Sequence, residues 1–307
     1  MKILNYGSLN IDLVYRVQHI VKAGETIASR SFREHAGGKG ANQSAAIAQA
    51  GAKIYHAGKV GLDGRWLVKK TAGFGVNTRF IRVAEEKTGH AVIQIDRNGE
   101  NAIFLHPGAN HRITRTEIDD VLYHFSAGDV LLLQNEINEI VYLINAAYKK
   151  KMRICLNPSP VERQIAEYPL HKVNMLILNE IEGSALAGRV APEGIMERLA
   201  DKYPKAEIVL TLGKKGAIAR LPGGRTIKQS SFRIKPVDTT AAGDTFIGYY
   251  VAGRVMEKSP AECLRQACAA AAICATRPGA MDSIPPLRQV RAFLRQGRQK
   301  RSFFHLT

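Results

Sequence analysis

Short apolar runs alternate with helical stretches along most of the chain. Each run is continuous rather than interleaved with polar residues, as expected for strands that are buried on both faces. The predicted strands are residues 3–6, 54–57, 130–133, 153–156, 175–178 and 207–211. Helices are predicted between them, among them residues 40–50 and 139–150. This order predicts an α/β fold with a central, mainly parallel sheet and helices on both faces.

Two segments depart from this pattern, residues 12–33 and 89–106. Apolar and polar positions alternate there, as in antiparallel strands with one exposed face, and Asn98-Gly99 is a favourable hairpin turn. We expect a small sheet inserted into the main domain at about 12–35 and 89–108, serving as a lid or a dimer clasp. The alternative is a pair of ordinary surface hairpins.

Composition narrows the class of protein. The 307 residues carry a formal net charge of +17, which attracts anions, but the charge is spread along the chain without a nucleic-acid-binding module. The one dense basic run, from Arg288 to Arg301, is interleaved with Val290, Phe293 and Leu294, which predicts an amphipathic terminal helix with a solvated basic face. We therefore expect no nucleic-acid partner.

Targeting signals and cysteines bear on location. No apolar run approaches the roughly 18 residues that a membrane helix needs, and the first residues are too polar for a signal peptide. The four cysteines form no CxxC pair, which is typical of reduced thiols. We expect a cytoplasmic protein with no membrane partner.

The segment DTTAAGDTF, residues 238–246, carries the sharpest chemical signal. Ala241, Ala242 and Gly243 precede a predicted helix, whose free N–H groups would bind an anion such as a phosphate. A carboxylate beside a phosphate is a poor ligand, but it suits a general base that takes a proton from an attacking hydroxyl, the role we predict for Asp244. An ordinary helix-start Asp would explain Asp244 but not the three small residues before it.

A second segment, AGGKGAN at residues 36–42, also precedes a helix. Its glycines permit a tight turn, Lys39 can reach an anionic group, and Asn42 can both donate to and accept from hydroxyls. It does not match the P-loop pattern GxxxxGK[ST], and alone it is a weak signal.

Together and in this order, the two segments resemble the two signatures of the PfkB family of carbohydrate kinases, and the chain most resembles the ribokinases within it. Further family motifs occur in order: GSLNID at 7–12, GAN at 108–110, an NxxE motif from Asn179 to Glu182, TLGKKG at 211–216, and the stretch 278–285. The resemblance covers essentially the whole chain. It implies a single ribokinase-like domain, residues 1–307, with the lid strands inserted.

The resemblance also implies roles for individual residues. The residues implied for the sugar are Asn10, Asp12, Gly38, Lys39, Asn42 and Glu136. Those implied for the nucleotide are Asn179, Glu182, Thr211, Gly213 and Gly216, with Glu182 also holding Mg²⁺ through water. Those implied for a monovalent cation, K⁺, are Asp238, Thr240, Cys274, Arg277, Gly279 and Ser283, mostly through carbonyl oxygens. Glu136 could instead be a helix-start acid, and Asn179 with Glu182 could form a helix cap.

The implied activity is ATP-dependent phosphorylation of a sugar primary hydroxyl, with Mg²⁺. The AGGKGANQ form favours D-ribose. The alternative acceptors are fructose, deoxyribose, a ketodeoxysugar acid or a nucleoside, and Cys268 leaves the base preference of the nucleotide open. A remote alternative is a non-catalytic nucleic-acid or regulatory binder on a kinase fold. The family also implies a homodimer formed through the lid strands.

Overall fold

The computed structural model describes residues 1–188, 190 and 192–302. Within that part of the chain, the strands are β1 (Ile3–Tyr6), β2 (Asn10–Arg16), β3 (Ser31–Gly37), β4 (Ile54–Gly61), β5 (Asn77–Ala84), β6 (Gly89–Ile95), β7 (Asn101–His106), β8 (Val130–Gln134), β9 (Arg153–Asn157), β10 (Met175–Asn179), β11 (Glu207–Thr211), β12 (Ala217–Arg220) and β13 (Thr226–Gln229). The α-helices are α1 (Lys39–Gln49), α2 (Arg65–Gly73), α3 (Arg115–Leu122), α4 (Ile140–Lys149), α5 (Glu180–Ala187), α6 (Pro192–Lys202), α7 (Ala242–Val255), α8 (Pro260–Cys274) and α9 (Leu287–Ser302).

A nine-stranded sheet forms the centre of the molecule, in the order β13-β12-β11-β10-β9-β8-β1-β4-β5. The seven strands from β11 to β5 are parallel, and β12 and β13 add an antiparallel edge. The prediction of a mainly parallel sheet is therefore confirmed, and the predicted strands lie within it. Strand β5 and the β12–β13 edge were not predicted.

Two hydrophobic cores cover the two faces of this sheet. On strand β8, Leu132 packs into the core formed with α1, α7 and α8, while Leu131 and Leu133 pack into the core formed with α3, α4 and α6. Since neighbouring side chains of one strand enter opposite cores, the strand needs a continuous apolar run. This is why the central strands lack polar alternation.

A separate four-stranded sheet has the order β3-β2-β6-β7. The pairs β2–β3 and β6–β7 are antiparallel, but β2 and β6 pair in parallel, so the two hairpins join through a parallel contact that alternation did not predict. The turn after β6 holds Gly99 at φ +84°, and the Asp96 carboxylate accepts hydrogen bonds from the N–H groups of Asn98 and Glu100. The predicted turn at Asn98-Gly99 is confirmed.

The terminal helix α9 buries Val290 and packs Phe293 and Leu294 against the first core, with Arg288, Arg291 and Arg295 exposed. The predicted amphipathic pattern is confirmed there, whereas the side chains of Arg298, Lys300 and Arg301 lie outside the described residues. All four cysteines are buried and free. In the described part of the chain, no helix is long and apolar enough to cross a membrane.

Candidate active site

The first half of the site forms where β3 ends and α1 begins. Gly38 has φ +91°, and a Cβ atom there would lie 2.8 Å from the Asn10 nitrogen and 3.0 Å from the Ser8 oxygen. Only glycine allows this conformation and this close approach without strain. The turn therefore brings Lys39, at the first position of α1, beside Asn10 and Asp12 at the start of β2.

Glu136 follows strand β8 and ties these elements together. Its Oε2 accepts hydrogen bonds from the Ser8 hydroxyl at 2.5 Å and from the Lys39 backbone N–H at 2.9 Å. Burial raises the pKa of Glu136, against the opposing effects of the Lys39 charge and of both hydrogen bonds. The carboxylate thus fixes the start of α1 and can still accept from a ligand.

The acids and the lysine of this site act strongly on one another. Burial, reinforced by the negative charges of Glu136 and Asp244, raises the pKa of Asp12 to about 7. Burial alone would lower the pKa of Lys39, but the surrounding carboxylates, chiefly Asp244 and Glu136, outweigh it and raise that pKa. Lys39 is therefore a fixed positive charge among acids.

Asn10 is held by a residue whose importance was not predicted from the local pattern. The Asn110 side chain donates to the Asn10 Oδ1 at 2.7 Å and accepts from the Leu9 backbone N–H at 3.1 Å. Asn110 is buried in a short 3₁₀ turn, Gly108–His111. Since the oxygen of Asn10 is occupied, its amide N–H groups remain to donate to a ligand.

Asp244 lies in the first turn of α7 and is buried against α1. Its Oδ2 accepts from the Asn42 side chain at 3.0 Å, and its Oδ1 accepts from the Gln43 side chain at 2.9 Å. Burial raises the pKa of Asp244, while the Lys39 charge and the two hydrogen bonds oppose that rise. The Asn42 Oδ1 is buried and has no hydrogen-bond partner in the described part of the protein.

Backbone geometry at the start of α7 suits an anion. Ala241 has φ +59° and precedes the helix, and the Ala242 N–H donates to the Thr239 oxygen at 3.2 Å, a long hydrogen bond within the turn. Beyond its own helix backbone and chain neighbours, no heavy atom of the described residues lies within 4 Å of the place where a Gly243 Cβ would stand, which leaves open space beside the backbone. The early N–H groups of a helix have no intrahelical partner, so they can bind a phosphate.

Asn179 and Glu182 form a capping box at the start of α5. The Asn179 Oδ1 accepts from the Glu182 N–H at 2.9 Å, and the Glu182 carboxylate accepts from the backbone and side chain of Asn179 at 3.0 and 2.9 Å. The alternative that Asn179 and Glu182 form a helix cap is therefore confirmed. It does not exclude a second role, because Glu182 also lines the cavity beside Asp244.

That cavity, of about 230 Å³, joins the two halves of the site. Its walls include Lys39 from the residues implied for the sugar, and Asn179, Glu182 and Thr211 from those implied for the nucleotide. The predicted catalytic base Asp244 also lines it, together with Ala241 and Gly243 of the predicted anion site. Gly213, at φ +52°, and Gly216, at φ +109°, shape the turn that follows Thr211. Asn157 and Ser159 also line the cavity and were not predicted.

The six residues implied for a monovalent cation lie on two adjoining segments, the loop before α7 and the stretch from the end of α8 to Ser283. The Asp238 carboxylate accepts from the N–H groups of Thr240 at 2.9 Å and Gly279 at 3.0 Å, which joins the segments. The Cys274 sulfur lies 2.9 Å from the Ser283 hydroxyl and donates to the Thr240 oxygen at 3.7 Å. The Arg277 N–H donates to the Cys274 oxygen at 3.0 Å.

Comparison with known proteins agrees with this arrangement. The model of the pfkB family of carbohydrate kinases matches residues 1–287. The chain belongs to this family. It is 35% identical over 298 residues to the ribokinase of Haemophilus influenzae, covering 94% of this chain and 96% of that protein.

Solved structures of family members are also similar. The structure of Arabidopsis thaliana ribokinase complexed with ribose and ATP is 32% identical, with a TM-score of 0.83 over 95% of this chain and 98% of that one. A Thermotoga maritima ribokinase is 31% identical, with a TM-score of 0.85 over 96% of this chain and 99% of that one. The ribokinase-like fold of this carbohydrate kinase is thereby established.

Gln43, Gln134 and Asn157 are polar residues of the site that sequence reasoning missed. Gln43 directly follows the residues that resemble the first family signature, and Asn157 ends strand β9 before a proline. Asn157 had a usable signal, because carboxyl ends of parallel strands are where ligands of open α/β sheets bind. Gln43 ends the AGGKGANQ stretch that resembles the family, but no role was predicted for it.

Proposed function

We propose that this protein transfers the γ-phosphoryl group of ATP to the primary hydroxyl of a sugar, and that the sugar is D-ribose. One observation carries the proposal: the buried Asp244 carboxylate touches Asn42 on one side and lines the cavity of Glu182, Asn179 and Thr211 on the other. A base between a hydroxyl-binding amide and a helix start that can bind phosphate suits phosphoryl transfer.

The sugar is assigned to Asn10, Asp12, Gly38, Lys39, Asn42 and Glu136, at the edge of the main sheet that the small sheet adjoins. The buried Asn42 Oδ1, unpartnered within the described residues, supports this assignment, because a buried acceptor left without a donor costs free energy. A sugar hydroxyl would supply that donor. The similar structure from Arabidopsis thaliana is that of a ribokinase complexed with ribose and ATP, which supports ribose as the acceptor here.

The chemical step then follows from the geometry. Asp244 takes the proton of the sugar hydroxyl, the sugar oxygen forms a bond to the γ-phosphorus, and the bond from that phosphorus to the β–γ bridging oxygen breaks, releasing ADP. The N–H groups of Ala241, Ala242 and Gly243 stabilise the charge that develops on the transferred group, together with Lys39. Small side chains at these positions let the phosphate approach the backbone.

Two ions are part of the proposal. Mg²⁺ usually keeps several waters and takes few protein ligands, so Glu182, acting through water, and the phosphates of ATP would suffice to hold it. When bound, Mg²⁺ neutralises charge on the phosphates. We assign K⁺ to Asp238, Thr240, Cys274, Arg277, Gly279 and Ser283, because the Asp238 carboxylate accepts from the N–H groups of Thr240 and Gly279 and so joins the two segments that carry these residues. A K⁺ ion held there would order the start of α7.

We propose a homodimer formed through the small sheet. Its edge strand β7 exposes Ile103, Phe104 and Leu105, and β3, at the opposite edge, exposes Phe32. Exposed apolar side chains on an edge strand favour coverage by another chain, and a second copy is the family arrangement. The four free, buried thiols support a reducing compartment, for which we propose the cytoplasm.

The test is coupled ADP release with MgATP and K⁺ over a panel of D-ribose, deoxyribose, fructose, a ketodeoxysugar acid and nucleosides. Ribose should give the highest kcat/KM. Turnover on another panel member would change the acceptor and keep the mechanism. Absence of turnover with every compound would contradict the kinase assignment. Salt-sensitive binding of DNA or RNA would then favour the alternative of a non-catalytic nucleic-acid-binding protein on a kinase fold.

A further inference from the structure

Gln43 is fully buried on α1 and joins three other elements of the fold. Its Nε2 donates to the Asp244 Oδ1 at 2.9 Å and to the Asn157 Oδ1 at 3.1 Å. Its Oε1 accepts from the Gln134 Nε2 at 2.7 Å. Both amide N–H groups and the carbonyl oxygen are therefore engaged in hydrogen bonds.

The orientation of the Gln43 amide is set from behind by other buried amides. The Gln134 Nε2 also donates to the Asn5 Oδ1 at 3.1 Å, and the Asn5 Nδ2 donates to the Gly40 oxygen at 2.7 Å and to the Ser44 hydroxyl at 2.9 Å. Reversing the Gln43 amide would turn its oxygen toward the Asp244 carboxylate and its N–H groups toward Gln134. Such buried mismatches are costly, so a single orientation is enforced.

We propose that Gln43 is a positioning residue of the phosphoryl-transfer step: it holds the Asp244 Oδ1 and leaves the Oδ2 to take the hydroxyl proton. This inference rests on the proposed function. The Oδ2 is the oxygen that Asn42 contacts, and the Oδ1 of Asn42 is the acceptor that has no partner among the described residues. Two neighbouring residues of α1 thus contact different oxygens of the base: Gln43 holds the Oδ1 in place, and Asn42 lies beside the Oδ2, which takes the proton.

Gln43 also acts on the protonation of the base. Its N–H donates only to an acceptor, so the bond favours the ionised carboxylate and opposes the rise that burial causes in the pKa of Asp244. The other charged or titratable groups that act on Asp244 are Lys39, Asp12, Glu136 and Cys274. All of them remain in a Gln43 variant, so the contribution of Gln43 can be isolated.

The contact with Asn157 connects Gln43 to the part of the site that carries the residues implied for the nucleotide. The Asn157 Nδ2 donates to the Ile177 oxygen at 3.0 Å and reaches the Glu182 Oε2 at 3.4 Å. Gln43 is thereby anchored to strand β9, which is part of the rigid sheet, rather than to a loop. A side chain anchored in this way can fix a carboxylate against the movements of a closing site.

The test combines a direct titration of Asp244 with kinetics on the full chain. Carboxyl-¹³C aspartate NMR reports the Asp244 titration, with its signal assigned by its loss in Asp244→Asn. In Gln43→Met, which keeps the length and removes the donors, Asp244 should titrate at higher pH. In the same variant, kcat/KM should fall about tenfold on the acid side of the pH profile and less than about threefold on the alkaline plateau.

The matched control is Gln49→Met, on the same helix, where the Gln49 Nε2 donates to the Phe74 oxygen at 3.0 Å and not to Asp244. It should leave both the titration and the profile unchanged. Gln43→Glu gives a second variant of the same length, and its carboxyl group should move the Asp244 titration further upward by repulsion.

An Asp244 titration in Gln43→Met that matches the wild type, or an equal shift in Gln49→Met, would overturn the inference. The titration needs no turnover, so it decides the role of Gln43 in holding the carboxylate even if no sugar is phosphorylated. Loss of wild-type turnover with every acceptor would instead overturn the proposed function.

Discussion

The contact between α1 and α7 depends on the missing side chain of Gly248. A Cβ there would overlap the Ala46 side chain and would lie 2.9 Å from both the backbone oxygen of Gln43 and the backbone nitrogen of Ile47. Gly248 lies one helical turn after Asp244, and the atoms that it meets belong to the helix that carries Asn42 and Gln43. Replacing Gly248 with alanine should therefore separate the base from the two residues that hold it.

The size of the effect follows from these distances. Two backbone atoms at 2.9 Å must move beyond 3.4 Å for ordinary contact, so the helices must part by roughly half an ångström to one ångström. Overpacking costs about 1–3 kcal/mol, offset by up to about 1 kcal/mol from the better helix propensity of alanine. A misplacement of about 1 Å can reduce turnover about 100-fold.

The assay is kcat for ribose-dependent ADP release, with denaturant unfolding measured in parallel. The matched control is Gly253→Ala on the same helix, where the Cβ would lie 2.7 Å from the Cys263 sulfur on α8 and meets no atom of α1. The control should stay within about twofold of wild-type kcat. Wild-type kcat in Gly248→Ala, or equal losses in both variants, would refute the reasoning.

Further predictions concern the base, an acid of the site, the cation loops and the dimer. Asp244→Asn should lower kcat by about two to four decades with a small change in KM, because the general base is lost. A steady-state kcat within about tenfold of the wild type would contradict the role of Asp244 as the base. The pKa of Asp12 is raised to about 7, so the folded, ligand-free protein binds more protons than the unfolded chain between about pH 4 and 7, and its stability should fall as pH rises through that window. Denaturant unfolding at several pH values should show this slope in the wild type and not in Asp12→Asn, and equal slopes would contradict it. Exchanging K⁺ for tetramethylammonium should reduce kcat, since a bulky cation cannot be held between the Asp238 and Gly279 loops; an unchanged kcat would count against the cation assignment. Ile103→Asp with Phe104→Asp should give a monomer in sedimentation velocity, and a persisting dimer would place the interface elsewhere.

Much of the fold could be predicted because the burial of a strand determines its pattern of apolar and polar residues. Strands such as β8 are buried on both faces, so they are continuous apolar runs. Strand β5 escaped because it forms the edge of the sheet and mixes exposed and half-buried positions, including Asn77 and Arg79. The parallel pairing of β2 with β6 escaped because register between distant strands depends on the whole fold rather than on local alternation.

The candidate site divides in the same way. Asp244, Asn179 and the glycine turn at Gly38 were predictable, because helix starts and strand ends bear recognisable local residue types. Gln43 was not, because its hydrogen bonds reach Asn157 and Asp244 from far along the chain, and a lone glutamine in a helix usually faces solvent. Its function becomes visible only once α1 and α7 are in contact.

The central claim is that Asp244 directs phosphate from ATP to a sugar primary hydroxyl, and product analysis tests it most directly. ³¹P and ¹³C NMR of a reaction of the wild-type protein with MgATP, K⁺ and D-ribose should show ribose phosphorylated at its primary hydroxyl, with stoichiometric ADP. Asp244→Asn should form none in the same time. Phosphate on another hydroxyl, free phosphate without a sugar product, or equal product from Asp244→Asn would contradict the account.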